Sequence, residues 1–162
     1  MSVRKNGKVV ANRILNDVLF CHTNPAATSK YMLQLMSCGS KLKLEYPVSV
    51  RESQRSSGLW IGPAAGNTAA RRSAGASPMN LLSNDLQLRV RELYYRPSSQ
   101  PGLMEITAKP QQFIKVISKM DSAAMYLDGD YSVIPVGLAD ELNFEKSNES
   151  LQLLGKPNVL CY

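Results

Sequence analysis

Short runs of apolar or alternating residues, each cut off by Gly, Pro, Asn, Asp or Ser, recur along almost the whole chain. This punctuation constrains the fold more than any other feature. A helix needs roughly ten residues or more of 3.6-residue periodicity, whereas a strand is complete in about four to eight residues of period two. Runs of the second kind are Ile14–Phe20, Lys30–Met36, Lys41–Tyr46, Gly58–Ile61, Phe113–Ile117, Ala124–Leu127, Ser132–Val136, Asn143–Glu145 and Leu151–Leu154. Asp128-Gly129-Asp130 between two of them predicts a hairpin turn, because glycine accepts positive φ without steric cost.

Helix signal is scarce. The best stretch is Asn67–Ala74, with Asn67 as the expected N-cap and with Gly75 and Pro78 to stop it. In Leu81–Arg91, Leu82, Leu86 and Val90 recur four apart, but an extended reading of Leu86–Arg91 serves equally well. Arg96–Gly102, rich in Ser, Pro and Gly, reads as a loop. With 162 residues the expectation is one domain, residues 1–162. Its fold class is mainly β: two packed sheets with a short helix after a Gly-rich loop.

Composition excludes several classes. Apolar residues are 44% and charged residues 20%, which argues against disorder. No apolar run approaches the roughly 18 residues of a membrane span. No apolar segment follows the basic N-terminus, so the expected location is cytoplasmic, without a membrane partner. Three cysteines, Cys21, Cys38 and Cys161, with no C-x-x-C spacing, suit a reducing compartment and argue against a zinc site. His22, beside Cys21, reads as strand-edge filler, because neighbouring strand residues face opposite ways and cannot form a nucleophile pair. Asp128 and Asp130 read as solvated turn carboxylates, so no metal site is expected. Trp60 reads as core or a pocket wall.

Net charge is +6 and unevenly spread. Residues 1–80 hold 11 Lys/Arg against 3 Asp/Glu, and residues 81–162 hold 8 against 10. A basic half points to an anionic partner on one face. Nucleic acid is not favoured, since no RNP1, C2H2 or basic-zipper pattern is present.

Chemistry concentrates in residues 56–79, where a short apolar strand enters a loop of small residues that opens a helix. Small side chains let a ligand approach the backbone, and unpaired N–H groups at a helix start favour anions. Gly62, Gly66, Asn67 and Thr68 would line such a site, with Arg71 adding charge. The spacing is neither a Walker A loop nor G-x-G-x-x-G, and a capped surface turn explains the same residues.

The segment resembles the NAD kinase family, whose C-terminal domain carries S-T-x-x-G-S-T-A followed by S-A-G-G. The equivalents are Gly62-Pro63-Ala64-Ala65-Gly66-Asn67-Thr68-Ala69 and Ser73-Ala74-Gly75-Ala76. It is most similar to the plant-type NADH kinases, in which an A-A-G-S-T-A-A segment precedes L-x-x-D-L-Q-x-x-V-R-E. Here Ala64–Ala70 precedes Leu82-Ser83-Asn84-Asp85-Leu86-Gln87-Leu88-Arg89-Val90-Arg91-Glu92. Leu15-Asn16-Asp17-Val18, Asn24-Pro25-Ala26 with Lys30-Tyr31, and Leu127-Asp128-Gly129 also match in order, so the resemblance spans roughly residues 7 to 155.

The resemblance implies the β-rich, dinucleotide-binding half of an enzyme that moves the γ-phosphate of ATP to the 2′-hydroxyl of the adenosine ribose of NAD or NADH. Asn16 and Asp17 would hold ribose hydroxyls or the adenine edge, Thr68 and Ala69 would contact the dinucleotide, and Gly66 and Asn67 would shape the phosphate loop. ATP and Mg²⁺ follow by the same resemblance. The family's G-G-D-G-T motif, whose Asp is the candidate base, does not occur in this sequence. The expectation is therefore a chain lacking the N-terminal domain, with no catalytic residue of its own. It would be catalytic only with a G-G-D-G-T-bearing domain, and that missing domain or a second copy is the expected protein partner. The alternative is a truncated, non-catalytic paralogue serving as a nucleotide-binding or subunit-interaction module. Gly62, Pro63 and Ala76 replace the family's Ser, Thr and last Gly, removing hydroxyls and one N–H donor.

Overall fold

The computed structural model describes residues 1–37, 48–94 and 102–149. The runs Lys41–Tyr46 and Leu151–Leu154, the loop from Arg96 short of Gly102, and Cys38 and Cys161 lie outside the described residues.

Twelve strands are described: β1 (Ser2–Lys5), β2 (Lys8–Ala11), β3 (Val18–His22), β4 (Ser29–Ser37), β5 (Val48–Ser56), β6 (Gly58–Pro63), β7 (Leu86–Arg91), β8 (Glu105–Ala108), β9 (Gln112–Ser118), β10 (Ala123–Leu127), β11 (Ser132–Val136) and β12 (Glu141–Glu145). They form two six-stranded sheets. One has the order β2-β1-β12-β9-β4-β5, the other β11-β10-β3-β6-β7-β8, and every neighbouring pair is antiparallel. The mainly β, two-sheet expectation holds. Alternation decides which face is buried. Val3, Leu33, Ile114, Val116, Leu142 and Phe144 of the first sheet meet Val18, Phe20, Leu59, Ile61, Leu88 and Met125 of the second in one core cluster. Phe20 and Tyr31 cross it edge to face, with ring centroids 6.1 Å apart.

Among the described residues, helix is confined to a 3-10 turn, Ala64–Gly66, and α1, Ala70–Ser73. The expected helix from Asn67 is thus shorter, and Asn67 does not cap it. Ala69 holds the N-cap position without a side-chain bond. The Asn67 amide instead donates toward the Met79 carbonyl at 3.4 Å. Leu86–Arg91 is extended, settling the two readings of that stretch. The turn at residues 128–131 joins β10 to β11 as a hairpin, with Asp128 at φ 50° and Gly129 at φ 122°.

Candidate functional site

The β2–β3 connection carries Asn16 and Asp17, and the end of β6 leads into Gly66–Ala69. The two segments touch. β3 and β6 are hydrogen-bonded neighbours, with Val18 opposite Ile61. Gly62 and Gly66 then lie directly on the Asn16–Asp17 backbone. A Cβ on Gly66 would fall 2.5 Å from the Asn16 carbonyl carbon and 2.7 Å from its Cα, with the carbonyl oxygen closer still. A Cβ on Gly62 would come within 3.0 Å of the Asp17 Cα. These glycines are needed for chain-to-chain approach.

The hairpin after β10 fixes the Asn16 segment from the other side. One Asp128 oxygen accepts the Leu15 N–H at 2.9 Å. The other accepts those of Asn16 at 2.7 Å and Asp17 at 3.2 Å. The Asp128 N–H donates in return to the Asp17 carbonyl at 2.9 Å. Charge-assisted bonds of this kind are the stronger class. Sequence reasoning missed this role, although the Leu127-Asp128-Gly129 turn had singled out the residue.

Arg71 corrects an expectation. It does not reach out to an anion directly, because its side chain is fully buried. Its guanidinium donates to the carbonyls of Gly62 at 2.6 Å, Gln87 at 3.2 Å and Pro63. It therefore pins the end of β6 and the start of β7 beneath α1. Burial lowers its pKa to about 10, with Asp17 and Glu105 opposing the shift. Asp17 is the reciprocal case. Burial raises its pKa, Arg71 opposes that, and Asp128 adds to it.

The sequence-derived site residues therefore sit in two layers. Asn16, Thr68 and Ala69 are exposed, Asn67 is half-buried, and Asp17 and Gly66 are buried. An exposed carboxamide and hydroxyl beside a loop of small residues offer donors and acceptors to a polar ligand. A cavity of about 270 Å³ opens next to the Asn67 loop, lined by Ser77, Met79, Asp85, Gln87, Glu105 and Thr107 among others. None of the sequence-derived site residues lines it. Trp60 is neither core nor part of that cavity: it is half-exposed, with the Arg91 guanidinium 5.7 Å from its ring centroid. His22 ends β3, where its Nδ1 accepts the Asn24 N–H. Among the described residues no three His, Cys, Asp or Glu gather as metal ligands, and no helix is long and apolar enough to cross a membrane.

No family model matches the chain. A rice protein (Oryza sativa subsp. japonica) named "Probable NADH kinase" is 30% identical over 161 residues, 99% of this chain and 47% of its own length. The NADH kinase of Arabidopsis thaliana is 47% identical over 88 residues, 54% of this chain and 27% of that protein. The chain resembles the C-terminal domain of NAD kinases. An NAD kinase from Archaeoglobus fulgidus in complex with ATP superimposes with TM-score 0.64 over 91% of the chain and 50% of its own, at 17% identity. Yeast NADH kinase complexed with NADH gives 0.64 over 89% of the chain and 38% of its own, at 15% identity. Likeness at such identity concerns the fold, which is NAD kinase-like. The chain spans about half the length of the rice relative, and less of the Arabidopsis one.

Proposed function

We propose that the chain is the dinucleotide-binding half of an NAD(H) kinase, a phosphotransferase of NADP biosynthesis that uses ATP to phosphorylate the 2′-hydroxyl of the adenosine ribose. The observation that carries this reading is the packing of Gly62 and Gly66 against Asn16–Asp17. It brings two stretches 45 residues apart or more into one polar rim.

On this reading the Asn16 carboxamide bonds the ribose hydroxyls or adenine edge, and Asp17, largely buried, serves mainly from beneath. Thr68 and Ala69 contact the dinucleotide. Gly66 and Asn67 keep the loop low enough for it to approach. The relatives' complexes with ATP and with NADH support these ligand classes. Mg²⁺, where ATP brings it, supplies charge neutralisation at the phosphates. Among the described residues of this chain, no three His, Cys, Asp or Glu gather as a ligand set for it.

The test is NADH titration of the folded chain, followed by cofactor fluorescence. Asn16→Ala and Thr68→Ala, both at exposed positions, are expected to weaken binding about tenfold each, the scale of one lost hydrogen bond. Unchanged affinity in both variants sinks the reading. The second reading, a non-catalytic paralogue that binds nucleotide, is favoured by one feature: Gly62 and Pro63 stand where the family has hydroxyls.

A further inference from the structure

Among the described residues, the outer face of the first sheet is charge-compensated at one end and uncompensated at the other. Across β1, β12 and β9, Arg4 pairs with Glu145 at 2.8 Å and Lys115 with Glu141 at 2.9 Å. Across β4 and β5 the same face carries Lys30, Arg51 and Arg55, with Lys119 just beyond β9, all exposed. None of these four forms an ion pair with a described residue.

They are also close together. Lys30 is directly opposite Arg55 in the β4–β5 register, which puts their Cβ atoms about 5 Å apart and costs stability as a like-charge pair. Lys119 donates to the Ser53 hydroxyl at 2.6 Å, and its N–H bonds the Lys30 carbonyl at 3.0 Å. Ser53 lies between Arg51 and Arg55 on one face of β5, so the three cations form a row with a repeat of about 7 Å. Glu52 does not neutralise it. Its side chain faces the other side of the sheet, where it accepts the Leu103 N–H at 3.0 Å.

We propose that this face docks an extended acidic polypeptide segment with Asp or Glu at alternate positions, which would supply the carboxylates that the described residues do not bring to these cations. Same-face side chains of an extended chain repeat at about 7 Å, the period of the row. The row is only about 14 Å long. Nucleic-acid affinity grows with each phosphate neutralised, and β4 and β5 put no aromatic side chain on this face for bases to stack on.

The test is fluorescence anisotropy of the chain with a short labelled peptide of alternating Glu and Thr. The comparisons are the same composition with the Glu residues in one block, oligouridylate of equal charge, and vesicles of phosphatidylserine and phosphatidylcholine. The alternating peptide should bind tightest, and its binding should weaken with salt. Arg51→Gln with Arg55→Gln should reduce affinity about tenfold, whereas Lys8→Gln with Arg72→Gln should not change it. Circular dichroism confirms that each variant is folded. Indifference to the β5 substitutions overturns the proposal. So does binding of the block peptide, oligouridylate or vesicles as tight as that of the alternating peptide.

Discussion

At the scale of single residues, Gly66 and Asp17 make opposite kinds of demand on the site. Any Cβ at Gly66 overlaps backbone atoms of Asn16, which are held on their far side by Asp128 and cannot retreat. Gly66→Ala should therefore cost about 3 kcal/mol or more, lowering Tm by roughly 10 °C in a melt followed by circular dichroism. A melt at the wild-type temperature would mean that the loop relaxes freely. For Asp17, burial places the folded pKa above the ordinary 3.8. The native chain then holds this proton more tightly than the unfolded chain. The favourable contribution is complete below 3.8 and is lost as pH rises through the folded value. Unfolding free energies from urea titrations should show the Asp17→Asn variant gaining on the wild type as pH climbs through that window. A gap that stays constant or narrows would contradict the assignment. Sequence alone marked both residues, but for other reasons. Gly66 was read as a ligand-facing loop glycine, and its contact is with another part of the chain. In the sequence Arg71 reads as added charge for the loop, because nothing local foretells a guanidinium seated on the Gly62, Pro63 and Gln87 carbonyls.

At the scale of elements, alternation was legible wherever inward positions are apolar, as in β4 with Tyr31, Leu33 and Leu35, or β9 with Ile114 and Val116. It failed for β5, whose inward positions include Glu52, Gln54 and Ser56. Each finds a partner at the end of the sandwich: Leu103 N–H, Leu103 carbonyl and Tyr31 hydroxyl. β1 and β2 were missed for a different reason. Their signal is the Asn6-Gly7 turn, both residues at positive φ, while β2 itself is mostly exposed and shows no buried face. Asp128 shows one element controlling another, since the β10–β11 hairpin holds the β2–β3 connection through a single carboxylate. Asp128→Ala should cost about 2–4 kcal/mol, because charge-assisted bonds are lost to three backbone donors. Hydrogen exchange at Leu15, Asn16 and Asp17 should accelerate more than in β6 or β9. Protection equal to wild type at those three amides would show that the hairpin is dispensable.

At the scale of the whole molecule, both sheets close on one core and the polar rim lies at the junction of β3 and β6, so the fold presents an open polar edge there. Phosphoryl transfer needs two things at once: a positioned nucleophile and a cradle for the transferred charge. On the proposed reading, the Asn16–Thr68 rim supplies hydrogen-bonding groups for the first. For the second, Arg71 is committed to carbonyls within the fold and no described carboxylate cluster is available for a metal ion. Binding and turnover should therefore separate. The chain by itself should bind NADH, yet form no NADPH when ATP and Mg²⁺ are supplied in a coupled assay that detects the phosphorylated product. Addition of a separately expressed G-G-D-G-T-bearing half from a plant relative should restore turnover, and Asn16→Ala should reduce that turnover by raising the KM for NADH more than it lowers kcat. Turnover by the chain alone would show that this half contains a cradle of its own. Failure to reconstitute activity while NADH still binds would favour the non-catalytic paralogue, in which the rim is kept and the chemistry is not.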